Sequence, residues 1–223
     1  MERYPCIGRW RFLYLSSPET PRFKEVLGRL KDGGPDEAIL DLGCCMGQAL
    51  RQLAHHGVDG SRLYGSDLRR DFIELGYELF RDRETLEATF ATGDMLDPKD
   101  AGLRRLDGKV TIVHAQSFWH LFDWAGQVAA AVRLVRFFRP GADANAMVYG
   151  RHIGTVKPGE VRTARRTLWL HDQESFQRLW DEVGEETGTK WRAEVQHTGE
   201  LPVQIPGMGN DARASSYVVY RVA

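Results

Sequence analysis

Short apolar runs alternate with amphipathic segments along the chain, and this alternation predicts strands separated by helices. The apolar runs predict buried strands over residues 38–43, 62–67, 89–93, 109–115 and 146–150. Apolar residues at helical spacing predict helices over 20–31, 46–56, 70–81, 124–138 and 173–184. Strands and helices that alternate with short connections indicate an α/β fold with a doubly wound, mostly parallel sheet.

The end of the chain departs from this alternation. Residues 191–196 and 216–222 predict two more strands, with a loop and no helix between them. Because a parallel pair needs a long crossover connection, we expect an antiparallel C-terminal hairpin that completes a seven-stranded sheet. We expect one domain over residues 1–223, with residues 1–34 as an N-terminal helical or lid segment.

The first strand ends in an acid and two glycines, in the segment Asp41-Leu42-Gly43-Cys44-Cys45-Met46-Gly47-Gln48. A strand that stops at a glycine turn before a helix can hold a nucleotide-like cofactor against bare backbone. The second strand ends at Asp67, about twenty to twenty-five residues on, which is typical of a ribose-binding carboxylate. The glycines lack the G-x-G-x-x-G spacing of dinucleotide sites, and Asp41 would repel a pyrophosphate but attract an ammonium group.

The D-L-G-C-x-x-G pattern resembles the first motif of class I S-adenosylmethionine (SAM)-dependent methyltransferases, and a strand-turn-helix of another α/β domain is the alternative. Ligands of such sheets lie at the carboxyl ends of the strands. Asp67 could accept the ribose hydroxyls and Leu68 could pack on adenine, while Asp94 could accept the adenine amino group and Met95 could cover the ring. Turn, cap and core roles are the alternatives. The predicted cofactor contacts are Asp41, Gly43, Gly47, Gln48, Asp67, Leu68, Asp94, Met95 and Gln116.

Three further segments, together with the glycine motif, carry a narrower resemblance. Residues 4–13, 40–48, 75–80 and 117–124 are similar to the fungal methyltransferases of meroterpenoid and related secondary-metabolite clusters. The resemblance implies a Rossmann-like methyltransferase fold, SAM as cofactor, and methylation of a small molecule, often of a carboxylic acid to its methyl ester. Members usually carry a longer region before Tyr4, so we expect a lid or dimer contact formed by that region to differ here; a homodimer is left open.

The methyl acceptor decides whether the enzyme needs a base. A carboxylate is already ionised at neutral pH and needs none, whereas a phenol or alcohol gains from one. His120, after the fourth strand, is the leading candidate for a catalytic base, and His152 is the second; a structural role is the alternative for His120. Several aromatic residues predict an apolar acceptor pocket, with plain core packing as the alternative: Trp10, Phe118, Trp119, Phe122 and Trp124.

Charge and cysteine content exclude other classes. The 223 residues carry a net charge of −1 and no long basic run, which argues against nucleic-acid and membrane partners; Arg162-Thr-Ala-Arg-Arg166 is expected to be a solvated loop face. Three cysteines without metal-type spacing predict no metal site and suit a reducing compartment, so we expect a cytoplasmic protein. The alternatives are a non-catalytic SAM-binding or repurposed protein, a nucleic-acid methyltransferase, and a nicotinamide oxidoreductase.

Overall fold

The computed structural model of the chain describes residues 8, 10, 13, 15–142, 145–163, 166–201 and 208–222. The Tyr-Pro-Cys segment from Tyr4, together with Arg9, Arg11 and Arg165, lies outside the described residues, so the lid prediction for residues 1–34 stays a prediction there. Within the described residues, no helix combines the length and the apolar character that a membrane crossing requires.

Seven strands form one sheet: β1 (Ile39–Leu42), β2 (Leu63–Asp67), β3 (Thr89–Thr92), β4 (Ile112–His114), β5 (Met147–Thr155), β8 (Trp191–Glu200) and β9 (Ala212–Arg221). Their order across the sheet is β3-β2-β1-β4-β5-β9-β8. β1, β2 and β3 pair in parallel, as do β4 and β5, whereas β9 runs antiparallel to both β5 and β8. The predicted α/β sheet with an antiparallel C-terminal pair is therefore confirmed.

Five helices follow the predicted positions with shifted ends, and a sixth, at Ala101–Arg104, was not predicted. They are α1 (Pro21–Asp32), α2 (Gln48–His55), α3 (Arg70–Phe80), α4 (Ala101–Arg104), α5 (Trp124–Val135) and α6 (Gln173–Thr187). Local sequence explains several of the ends: the Thr20 side chain caps the amide of Phe23, and Asp123 caps that of Gly126. The left-handed Gly188 ends α6.

Two compact units divide the chain, the first of residues 1–94 and 100–106, the second of residues 95–99 and 107–223. In the first unit all four residues of β1 are buried, as expected of a central parallel strand. α3 behaves differently, because only Ile73 and Gly76 of it are buried, while Leu75 and Leu79 are 45% and 52% exposed. The apolar residues at helical spacing predicted this helix correctly, although Leu75, Leu79 and Phe80 are exposed.

The second unit contains a hairpin that the sequence did not predict, formed by β6 (Gly159–Arg162) and β7 (Thr167–Leu170). β5 also continues to Thr155, five residues past its predicted end. Leu168, Leu170 and Ala212 form a small core with the partly buried side chains Ile153, Val161, Leu201 and Met208. These additions extend the second unit beyond the predicted alternation.

Candidate functional site

The glycine loop after β1, residues 43–47, is tied to the end of β2 by backbone hydrogen bonds. The amides of Gly43 and Cys44 both donate to the carbonyl of Ser66, at 2.8 and 2.9 Å. Gly43, Cys45 and Gly47 have φ angles of 71°, 52° and 67°, which turn the chain sharply into α2. Contacts within the first unit therefore define the conformation of this loop.

Asp67, the last residue of β2, holds the same loop. One carboxylate oxygen accepts the amide of Cys45 at 2.8 Å, and the other accepts the amide of Arg69 at 2.9 Å. Burial raises the pKa of this carboxyl, and the negative charge of Asp41 adds to the increase, while the two backbone hydrogen bonds oppose it. Since each carboxylate oxygen has a second lone pair, Asp67 can still accept hydrogen bonds from a ligand.

Two carboxylates, those of Asp41 in β1 and Asp67 in β2, act on this loop. Asp41 is only 4% exposed within β1. Burial raises the pKa of the neighbouring Cys44 thiol well above its usual value, and the charges of Asp41 and Asp67 raise it further. Cys44 therefore stays a neutral thiol and is no nucleophile. A cationic or hydrogen-bond-donating ligand fits this electrostatic setting better than a pyrophosphate.

Two glycines in this region are required by packing. A Cβ on Gly47 would lie 2.8 Å from both the Arg51 guanidinium and the Phe90 ring, so this glycine serves packing as well as the turn. A Cβ on Gly76 in α3 would lie 2.4 Å from the carbonyl oxygen of Met46. α3 therefore approaches the glycine loop closely, and its glycine was a signal for such an approach within a helical pattern.

Gln48, the first residue of α2, carries an unsatisfied polar atom. Its Oε1 is buried and has no hydrogen-bond partner among the described residues. Leaving a buried acceptor unpaired costs about 1 to 3 kcal/mol, so a donor from a ligand would remove a real penalty. Together with the exposed backbone of Gly43, this orphaned acceptor fits a cofactor that offers hydrogen-bond donors.

The other residues predicted to contact the cofactor differ in their exposure to solvent. Leu68 is 57% exposed directly after β2, as a residue that packs on a ligand ring would be. Asp94 is exposed, and its amide donates to Asp100, the residue that caps α4. Met95, in the second unit, is only 7% exposed, which resembles a core residue. Gln116, also in the second unit, is half-buried in the turn after β4.

His120, in the second unit, is oriented by the backbone. Its Nδ1 accepts the amide N–H of Ile153 at 3.2 Å. In the neutral ring this bond places the proton on Nε2, so the imidazole is a donor at Nε2. A base at Nε2 would need the opposite tautomer, which would set two N–H groups against each other. The geometry therefore favours a donor over the predicted base, and the base role stays untested.

Two other histidines of the second unit are held neutral. Burial lowers the pKa of His152 well below its ordinary value, and the charges of His120, His171 and His197 lower it further. Burial also lowers the pKa of His171 to about 3. His171 bonds Ser175 through Nδ1 and Gln127 through Nε2, whereas the Nε2 of His152 is buried without a partner among the described residues. Both rings pack against the ring of Phe176, at centroid distances of 5.2 Å.

The aromatic residues predicted to line a pocket have different environments: some are buried in the core, and others are partly exposed. Trp119 is fully buried and packs edge-on against Phe176 and Trp180, so it belongs to the core. Phe122 is half-buried beside Phe118, at a centroid distance of 5.1 Å, and remains a candidate for lining a pocket. Trp124 contacts Trp169 of the unpredicted hairpin, while Trp10 is exposed in the first unit.

Comparison with known proteins identifies the family. The family described as "Methyltransferase domain" matches residues 39–141, which include the glycine loop and Asp67. The methyltransferase nvfJ of Aspergillus novofumigatus, named for asnovolin E and chermesin D, is 36% identical over 210 residues, covering 92% of this chain and 73% of that protein. The chain belongs to the SAM-dependent methyltransferase family.

Further relatives agree with this membership. The O-methyltransferase phiE of a fungal species is 42% identical over 195 residues, which cover 86% of this methyltransferase and 64% of phiE. The chain thus spans less than two thirds of the length of phiE. A solved SAM-dependent methyltransferase from Methanosarcina mazei shares the fold, with a TM-score of 0.59, 14% identity, and coverage of 91% of this chain and 97% of that one.

Sequence reasoning missed several residues that shape the methyltransferase loop. The carbonyl of Ser66 and the amide of Cys45 act through backbone atoms, which any residue could supply. Arg51 donates to the carbonyl of Met46 at 2.6 Å and pairs with Asp82, and it was not predicted. These groups hold the glycine loop in its conformation. The pattern of side chains in the sequence does not reveal this role.

Proposed function

We propose that this protein transfers a methyl group from SAM to a carboxylate oxygen of an apolar small molecule of secondary metabolism. The observation that carries the proposal is the glycine loop itself, which Ser66 and Asp67 hold folded beside the buried carboxylate of Asp41. SAM, the cofactor of this family, supplies a methyl group that its positive sulfur has already activated. The protein's task is to hold, orient and shield the reacting groups.

The residues of the first unit have the donors and acceptors that such a cofactor requires. Asp67 has lone pairs beyond those used by Cys45 and Arg69, and these would accept the ribose hydroxyls. Leu68 presents an exposed apolar side chain for adenine, and Asp94 is exposed at the next strand end. Asp41 supplies negative charge for the ammonium group. Gly43, Gly47 and Gln48 complete the proposed contacts in this unit.

The histidines of the second unit support a carboxylate as the acceptor. His120 is set up as an Nε2 donor, which would pair with an acceptor oxygen that carries negative charge. The two nitrogens of His171 are engaged, and His152 is held neutral by burial. A carboxylate needs no base, so this arrangement suits an acid better than a phenol. The printed names of phiE and nvfJ support an oxygen target and a small-molecule acceptor.

A paired acceptor assay tests the proposal. Purified protein and SAM are incubated with apolar carboxylic acids and with alcohols of the same carbon skeleton, and methylated products are measured by mass spectrometry. We expect methyl esters only, with S-adenosylhomocysteine (SAH) formed in equal amount. Methyl ethers without esters would contradict the acceptor class. SAM binding with no product from either series would favour the alternative of a non-catalytic or repurposed protein.

The remaining expectations stay predictions. A cytoplasmic location, the absence of nucleic-acid partners and a homodimer rest on the sequence alone. Sedimentation of the purified chain at several concentrations would measure the assembly state, and a concentration-independent monomer would rule out the homodimer.

A further inference from the structure

The side-chain amide oxygen of Gln48, Oε1, is a buried acceptor that lacks a hydrogen-bond donor among the described residues. Gln52, one turn further along α2, differs in this respect, because its amide nitrogen donates to the carbonyl of Ser16 at 2.6 Å. Buried polar atoms are rarely left unpaired in folded proteins, so the unpaired Gln48 oxygen marks a place where a ligand donor is expected.

The chemical groups of SAM limit which ligand donor can pair with the Gln48 oxygen. This inference rests on the proposed function, since it takes SAM as the ligand. SAM and SAH carry donors on the ribose hydroxyls, the adenine amino group and the α-amino group. Asp67 ends β2 and suits the ribose, and the loop at Asp94 suits adenine. Gln48 instead follows Gly47 directly, as the first residue of α2, and the charge of Asp41 acts on the same loop, where it raises the pKa of Cys44. A cationic donor is the one that gains from this charge.

We infer that Gln48 is the residue that recognises the cofactor's α-amino group, with its Oε1 accepting an N–H of the ammonium. Asp41 adds long-range attraction to the same charge, and Gln48 adds the directional hydrogen bond. A side chain with a neutral acceptor suits this position because it binds the ammonium without adding a third carboxylate to Asp41 and Asp67. Gln48 thereby discriminates the complete cofactor from nucleosides that lack the amino acid.

Calorimetric titration of four nucleosides into the full chain tests this role without any need for turnover. The probes are SAH, its analogue without the α-amino group, its analogue without the carboxylate, and 5′-methylthioadenosine, which lacks both. Gln48→Leu should weaken SAH binding about 10- to 100-fold, the range for a hydrogen bond to a charged group. It should leave the affinity for 5′-methylthioadenosine and for the deamino analogue within about 2-fold of wild type. Gln52→Leu is the matched control and should change none of the four.

The outcomes separate this inference from the proposed function. Equal weakening of all four nucleosides by Gln48→Leu, or of none, would overturn the role of Gln48. A loss that follows the carboxylate instead of the amino group would overturn it as well, since the Gln48 amide would then act as a donor. If wild-type protein binds neither SAH nor 5′-methylthioadenosine, the proposed function itself fails. Gln48→Glu provides a second check, because an acceptor is retained and SAH binding should persist.

Discussion

The two units of this methyltransferase surround their polar side chains in opposite ways. In the first unit, carboxylates and backbone amides meet at the glycine loop, where Asp67 accepts a backbone amide on each of its two oxygens. In the second unit, His152 and His171 are buried among aromatic rings and kept uncharged. The first arrangement suits a cationic, hydrogen-bonding ligand, and the second suits an apolar one.

The difference shows which groups are available for chemistry. Burial raises the pKa of the Asp67 carboxyl, and the two backbone N–H groups that donate to it oppose this increase, because they favour the charged form. A buried histidine with aromatic neighbours loses its ability to take a proton near neutral pH. We therefore propose that the first unit supplies the charged groups that bind the cofactor. The second unit would supply an apolar surface with neutral hydrogen-bonding groups for the methyl acceptor.

The largest effect should come from filling the space at Gly76. Gly76→Ala places a Cβ against the carbonyl of Met46, so α3 or the glycine loop must move. We expect a loss of about 2 to 3 kcal/mol of stability and weakened SAH binding, measured by urea denaturation and calorimetry. Gly28→Ala in α1 is the control, because a Cβ there meets nothing within 4 Å. It should be neutral or stabilise by up to about 1 kcal/mol. Equal behaviour of the two variants would refute the close approach.

Acid should destabilise the protein through the second unit. His152 and His171 have lowered pKa values when folded, so between about pH 6.5 and the folded value the unfolded chain binds more protons. Stability is therefore lost as the pH falls through that window. At pH 5, His171, whose folded pKa is about 3, should cost about 2 kcal/mol relative to neutral pH, and His152 should add a loss in the same direction.

His152→Phe tests this acid sensitivity. The variant should lose less stability than wild type between pH 7.5 and pH 5, as measured by thermal denaturation. His55→Phe, at an exposed position on α2, is the control and should follow the wild-type profile. An unchanged profile for His152→Phe would mean that the buried ring is protonated in the native state.

A smaller effect is expected at His120. Asparagine can accept the Ile153 amide and still donate from Nδ2, so His120→Asn should retain kcat within about 10-fold of wild type, without a new pH dependence. A catalytic base would instead cost about 10²- to 10⁴-fold. Steady-state rates from pH 6 to 9 decide between the two, and a large loss that follows a single ionisation would restore the base.

The smallest effect is expected on the solvent face of α3. Leu79→Lys replaces a half-exposed apolar side chain, so stability should change by no more than about 0.5 kcal/mol. Urea denaturation measures this. A loss above about 2 kcal/mol would show that this face is covered in solution.

Sequence reasoning predicted the sheet because buried parallel strands and their helices leave strong periodic signals. It found the glycine loop and Asp67 for the same reason, since strand ends and glycines mark them. It missed the β6–β7 hairpin, whose two four-residue strands alternate half-buried with exposed or buried positions and give weak signals. The tautomer of His120 could not be predicted, because it depends on the amide of Ile153, a contact 33 residues away in sequence, and the predicted base role stays a prediction.

Direct titration of the wild-type chain with SAH, SAM and NAD tests the central claim that the acid-lined glycine loop binds the methyl donor. Asp67→Ala should weaken both sulfur nucleosides, through lost ribose contacts and a loosened loop, whereas Asp32→Asn, at an exposed acid in α1, should not. The account predicts dissociation constants in about the micromolar range for SAH and SAM, and no binding of NAD. Binding of NAD, or no binding of either sulfur nucleoside, would contradict it.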